Sequence, residues 1–150
     1  MPDDSNGLKI TISAEPGPHE DPKEVVLKAT YENVGDEPFS LTFWWTVTLR
    51  IKNEKGITLR PGHGPELPCG IKEDPEVLKP GGTFTRDRYL QCTQPAGLKA
   101  LVGWGYDLAP GTYEITLVMN SPPKHGYGVN TNTDAWKGRA ESNSIRITIE

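Results

Sequence analysis

The sequence predicts an all-β protein built as an antiparallel sandwich, and three observations carry that prediction. Apolar residues recur with period two in segment after segment, and no stretch sustains the i, i+3, i+4 spacing of an amphipathic helix. Only 35% of the 150 residues are apolar while Gly numbers 16 and Pro 14, a balance that suits short strands joined by tight turns and not a helix bundle. Each strand-like segment is also apolar on one side and polar on the other, as in antiparallel sheets with one face in water.

Taken in order, LKITISA places Leu8, Ile10, Ile12 and Ala14 on one face, and EVVLKATYENV does the same with Val25, Leu27, Ala29 and Tyr31. After the polar turn NVGDEP comes FSLTFWWTVTLRIKN, in which Leu41, Phe43, Trp45, Val47, Leu49 and Ile51 take every odd position. The even positions are polar except Trp44. Run straight, this segment would span about 50 Å at roughly 3.3 Å per residue, too long for one sandwich strand. A bend or bulge is therefore expected near Phe43–Trp45, where the chain exchanges one pairing partner for another. Asn53 to Gly56 reads as a hairpin loop with Gly56 at positive φ, leading into ITLR. TFTRDRYLQ is a weaker strand, with Phe84 and Leu90 sharing a side with Arg86 and Arg88. TYEITLVM is clean, with Tyr113, Ile115, Leu117 and Met119 on one face, and SNSIRITIE ends the chain with Ile145, Ile147 and Ile149 inward. The total is about seven strands.

Three loops rich in Gly, Pro and Asn separate these strands: residues 60–75, 92–107 and 120–140. Long ordered loops are more often functional than short ones. In LAPGTYEITL, the residues Leu108, Pro110, Gly111 and Tyr113 resemble a tyrosine corner, which points to a sandwich of the immunoglobulin-like kind. No repeat or linker divides the chain, so residues 1–150 are read as one domain with 1–7 loose.

The order ATYENVGDEPFSLTF, hairpin NEKG, VLKPGGTFTRDRYL and LAPGTYEITL resembles the BsuPI-type intracellular proteinase inhibitors over about residues 24–119. The shared features are a strand ending in an Asn-containing turn, a Pro-Gly edge turn and a Pro-Gly-Thr-Tyr strand, turn motifs found in many bacterial sandwich domains. The resemblance implies an immunoglobulin-like sandwich, a protease as partner and inhibition as the activity. The chain departs from the pattern by inserting the 92–107 loop and by continuing past residue 120.

Composition narrows the partners. The net charge is −4 with mixed signs and no Lys/Arg stripe, which disfavours nucleic acid and anionic membranes. No apolar run approaches the ~20 residues needed to span a bilayer. The start MPDDSNG lacks the basic and apolar regions of a secretory signal, so cytoplasm and export after signal removal both stay open. The two cysteines, Cys69 and Cys92, lie in turn-rich stretches. In an oxidising compartment they are expected to pair, closing a loop of about 24 residues worth about 3 kcal/mol.

Catalysis needs converging groups, and the sequence offers no HExxH, GxSxG, P-loop or closely spaced Cys–His. His19, His63 and His125 occupy three separate loops. His63, Cys69, Cys92 and His125 could in principle share zinc, but their spacing fits no finger or knuckle. Asn130, Asn132, Asp134 and Glu141 mimic a calcium loop, yet Asn stands where the first Asp belongs and Ala135 where Gly belongs. The acidic groups Glu20, Asp21, Glu24 and Glu73, Asp74, Glu76 flank prolines in turns, where solvated charge is the simpler account. No catalytic residue, metal or cofactor is expected.

What remains is aromatic. Trp104 and Tyr106 in GWGY, Tyr127 in HGYG and Trp136 in DAWKG are presented on loops, where such rings anchor interfaces or fold back over the end of a sandwich. The expectation is a non-enzymatic recognition domain that binds a protein partner through its loops, with proteinase inhibition as the form the resemblance implies. A carbohydrate-binding module using the same aromatics is the second reading, and a structural domain of an envelope assembly the third. Oligomeric state is left open.

Overall fold

The computed structural model describes residues 6–14, 24–43, 46–59, 75–91, 103–105, 110–122 and 133–149. Among them lie ten strands: β1 (Leu8–Ala14), β2 (Glu24–Asn33), β3 (Phe39–Leu41), β4 (Val47–Lys52), β5 (Glu76–Leu78), β6 (Thr83–Gln91), β7 (Gly103–Gly105), β8 (Gly111–Asn120), β9 (Arg139–Glu141) and β10 (Ile145–Ile149). The first sheet runs β1-β2-β6-β7 and the second β10-β8-β4, with β9 also on β8; β3 and β5 form a small third ribbon. All these pairs are antiparallel except β6–β7, which is parallel. The all-β sandwich expected from the sequence is the observed architecture, with more and shorter strands than anticipated.

The period-two faces build the core. Leu8, Ile10 and Ile12 of β1 and Leu27, Ala29 and Tyr31 of β2 are buried against Leu49 and Ile51 of β4 and Tyr113, Ile115, Leu117 and Met119 of β8. Ala14, expected inward, is exposed at the end of β1. Burying a full aliphatic or aromatic side chain contributes about 1.5–3 kcal/mol, so these stripes supply the main drive to fold.

The 39–53 segment does break. β3 pairs β5 and β4 pairs β8, so the chain changes partners between Leu41 and Val47. The Thr46 hydroxyl donates to the Thr42 carbonyl at 2.7 Å across the interruption. Trp44 and Trp45 lie outside the described residues. Phe43, freed from either sheet ladder, packs between Tyr31 at 4.9 Å and Phe84 at 5.5 Å between ring centroids. The Arg86 guanidinium sits 5.1 Å from the Phe43 centroid, which explains how an arginine shares the inward side of β6: it covers an aromatic face. The Tyr31 hydroxyl is buried here with no hydrogen-bond partner among the described residues.

Other sequence expectations needed adjustment. Gly56 has φ 78° and its N–H donates to Asn53 O at 2.9 Å, as the hairpin required. The returning arm makes only a bridge at Thr58 to Lys52. The 92–107 loop contains β7, β9 begins inside the 120–140 loop, and β5 was not anticipated, because three residues are too few to show a period. Tyr113 lies so that a Cβ added to Gly111 would stand 3.9 Å from its hydroxyl.

One edge of the sandwich is closed by a side chain. The β8 partners shift from Val118↔Glu141 to Ile115↔Ile145, so one extra residue is accommodated between β9 and β10. This is a bulge, and its polar groups are satisfied locally: the Leu117 N–H donates to Ser142 Oγ and the Ser142 N–H to Leu117 O, both at 2.9 Å. The bulge turns Asn143 towards β1. Its carboxamide accepts from the Ile12 N–H at 2.7 Å and donates to Ile12 O at 3.0 Å, imitating a strand neighbour for an edge residue. Asn143→Ala should therefore destabilise the protein by about 1–2 kcal/mol. Hydrogen exchange at the Ile12 amide should accelerate in the same variant, and an unchanged exchange rate would show that the amide does not close the edge.

Candidate functional site

The end of the sandwich where β1 begins and β2 finishes is organised by Asn33. This residue is fully buried, and all but one of its side-chain hydrogen-bonding positions are used. Its amide nitrogen donates to Glu37 O at 2.8 Å and Leu78 O at 2.9 Å, and its side-chain oxygen accepts from the Gly35 N–H at 2.9 Å. The backbone adds two further bonds, Asn33 N–H to Gly82 O at 3.0 Å and Gly81 N–H to Asn33 O at 2.8 Å. The Asn33 side chain thus ties the loop 34–38 to the end of β5, and its main chain holds the Lys79–Gly82 turn. Val34 N–H donates to Gly7 O at 2.7 Å, which brings the start of β1 into the same knot. The backbones meet so closely that a Cβ on Gly7 would stand 3.1 Å from Gly35 Cα, so neither position has room for a side chain without movement.

A second loop is strapped beside the first. The Ser40 hydroxyl donates to an Asp134 carboxylate oxygen at 2.9 Å, Ser40 N–H donates to Asp134 O at 2.8 Å, and Trp136 N–H donates to Ser40 O at 2.9 Å. The Asn6 amide donates to Lys137 O. This strap covers the polar side of β3, which explains why Ser40 is buried although period two placed it in water; Thr42 is buried as well. Asn6 and Gly7, expected to be loose, are held by these bonds.

Between the two loops opens a cleft of about 780 Å³. Its walls include Asn6, Gly7, Gly35 to Phe39 and Thr133 to Lys137, and Asn33 forms part of its floor. Its lining includes three acidic residues, Asp36, Glu37 and Asp134, and one lysine, Lys137. Asp36 and Glu37 are exposed and their side chains make no hydrogen bond or ion pair among the described residues. Asp134 is engaged by Ser40. The arrangement therefore offers a groove between two hydrogen-bonded loops whose lining residues carry a net negative charge. A smaller hollow of about 450 Å³ lies at the far end of β8, where Glu54 accepts from the Thr112 N–H at 2.9 Å amid Lys52, Glu114 and Arg146.

Of the aromatic residues expected to bind, Trp136 is the one whose side chain lies among the described residues. Trp136 is 3% exposed and belongs to the core cluster, so its ring offers no surface even though its loop lines the groove. The ring has folded back over the end of the sandwich because the Ser40 strap pulls it in. β7 places Trp104 opposite Leu90, but the side chain of Trp104, and Tyr106 and Tyr127 entirely, lie outside the described residues. So do Cys69, Cys92, the three histidines, Asn130 and Asn132. The remaining members of the calcium-like spacing are spoken for: Asp134 by Ser40, and Glu141 by Arg50 at 2.5 Å and Arg139 at 3.7 Å. Among the described residues no three His, Cys, Asp or Glu side chains cluster as a metal would require, and no helix is long and apolar enough to cross a membrane.

The chain matches no protein-family model, and a search of curated proteins finds no match either. The sequence had signalled Asn33 only as a strand end before a turn, and Asp36 and Glu37 only as polar turn residues. Because Trp136 is packed and not presented, Trp136→Ala should cost roughly 3 kcal/mol or more in chemical denaturation. A variant with unchanged stability would return the ring to the surface.

Proposed function

We propose that this chain is a non-catalytic recognition domain that binds a protein partner at the cleft between residues 34–38 and 133–137. The observation that supports this reading is the set of hydrogen bonds that hold both loops of the cleft. Asn33 and the Ser40–Asp134 strap fix both loops before any partner arrives, and preorganised loops lose little conformational entropy on binding. The exposed carboxylates of Asp36 and Glu37 suit a partner that presents lysine or arginine, since complementary charge steers association and selects the partner. The resemblance to the BsuPI-type inhibitors makes a protease the first partner to test, with the cleft loops entering or flanking its active site.

The test is an inhibition and binding assay against serine, cysteine and metalloproteinases, using the natural chain and the double variant Asp36→Lys, Glu37→Lys. Inhibition of at least one class is expected, weakened about tenfold or more by the charge reversal and by added salt. The unfolding midpoint should barely move, because exposed substitutions usually stay within about 0.5 kcal/mol. Absence of inhibition across the panel would contradict the inhibitory form. Binding to soluble polysaccharides that ignores the charge reversal would favour the carbohydrate reading, with Trp104, Tyr106 and Tyr127 as its remaining aromatics.

A further inference from the structure

Asn6 and Gly7 form the one Asn-Gly pair in the chain; every other asparagine is followed by a residue with a side chain. An asparagine before glycine is chemically labile, because the glycine nitrogen is unhindered and can reach the neighbouring side-chain carbonyl. The structure places this pair where its chemistry has a consequence. Asn6 is exposed at φ 48°, and its amide is the donor that ties the start of β1 to Lys137 O. Gly7 has φ 82° and abuts Gly35, so the fold itself demands glycine after this asparagine.

We propose that Asn6 is a site of spontaneous deamidation whose conversion releases the 133–137 loop from the start of β1. The Gly7 backbone nitrogen attacks the Asn6 side-chain carbonyl carbon, a C–N bond forms, and the amide nitrogen departs as ammonia with the proton lost from Gly7. Water then opens either C–N bond of the cyclic imide, leaving aspartate or isoaspartate at position 6. No oxidant or reductant enters. While the amide donates to Lys137 O its rotation is restrained, so the intact strap slows the attack and each opening of the strap permits it. Once converted, the group is a carboxylate, which only accepts hydrogen bonds and now faces an accepting carbonyl. The tie cannot be remade, and the new charge joins Asp36, Glu37 and Asp134 at the same groove. The reaction makes the strap a one-way timer, and this holds whether or not the groove binds a partner.

The test follows the intact protein in mildly alkaline buffer by peptide mapping and mass spectrometry, beside a denatured sample and an Asp134→Ala variant that lacks the Ser40 bond. Conversion concentrated at position 6 is expected, slower in the native chain than in the denatured one by about tenfold or more. Asp134→Ala should lie between the two. In the converted fraction, hydrogen exchange at the Trp136 amide should be faster than in the unconverted fraction. Equal native and denatured rates, or conversion spread over other asparagines, would overturn the proposal. Unchanged exchange at Trp136 would overturn the coupling to the strap; the wild-type comparison decides even if Asp134→Ala does not fold.

Discussion

The carboxamide of Asn33 is the interaction on which one whole end of the sandwich depends. Two donors and one acceptor from a single buried side chain hold the 34–38 loop and the end of β5, and the adjacent main chain holds the Lys79–Gly82 turn. No other natural side chain of that size supplies this combination. A carboxylate of the same shape would keep the acceptor and lose both donors, and an apolar residue would strand two carbonyls and an N–H away from water. Everything at the cleft follows from that fixed point. Gly7 can approach Gly35 only because the loop is already in place, and Asn6 reaches Lys137 only because Gly7 is docked.

The rest of the sandwich uses the same device more sparingly. Where two sheets diverge, side chains with paired donors and acceptors stand in for strand neighbours. Asn143 completes Ile12 at one edge, the Ser142 bulge having turned it there, and Ser40 with Asp134 covers β3. By contrast, the surface ion pairs around Glu141 are partly exposed and contribute little, since such pairs are typically worth about 0–1 kcal/mol. The apolar stripes set how strongly the sheets associate, and the buried amides set where the loops sit.

That division also explains how much could be read in advance. Period two gave away the inner faces of β1, β2, β4 and β8, and the excess length of residues 39–53 gave away the change of partner before Val47, because both are consequences of local geometry. The burial of Ser40 and Trp136 depends on the pairing of β3 with a loop nearly a hundred positions downstream, which no local pattern encodes. Arg86 looked like a flaw in β6 because its partner, the Phe43 ring, comes from a break in another strand. The cleft joins Asp36 and Glu37, which in sequence read as part of a polar turn, to a loop nearly a hundred positions away. Aromatic residues drew attention as binding candidates, yet Trp136, the one whose side chain is described, turned out to be core.

The most direct test of this account is equilibrium unfolding of Asn33→Asp and Asn33→Ala beside the natural chain, with amide exchange followed at Gly35 and Gly81. If Asn33 is the fixed point, both variants lose about 2 kcal/mol or more, because each leaves buried carbonyls without donors. The aspartate variant should suffer despite its matching shape, and Gly81 should exchange faster in both. Variants within about 0.5 kcal/mol of the natural chain, the range of an ordinary surface change, would contradict the account.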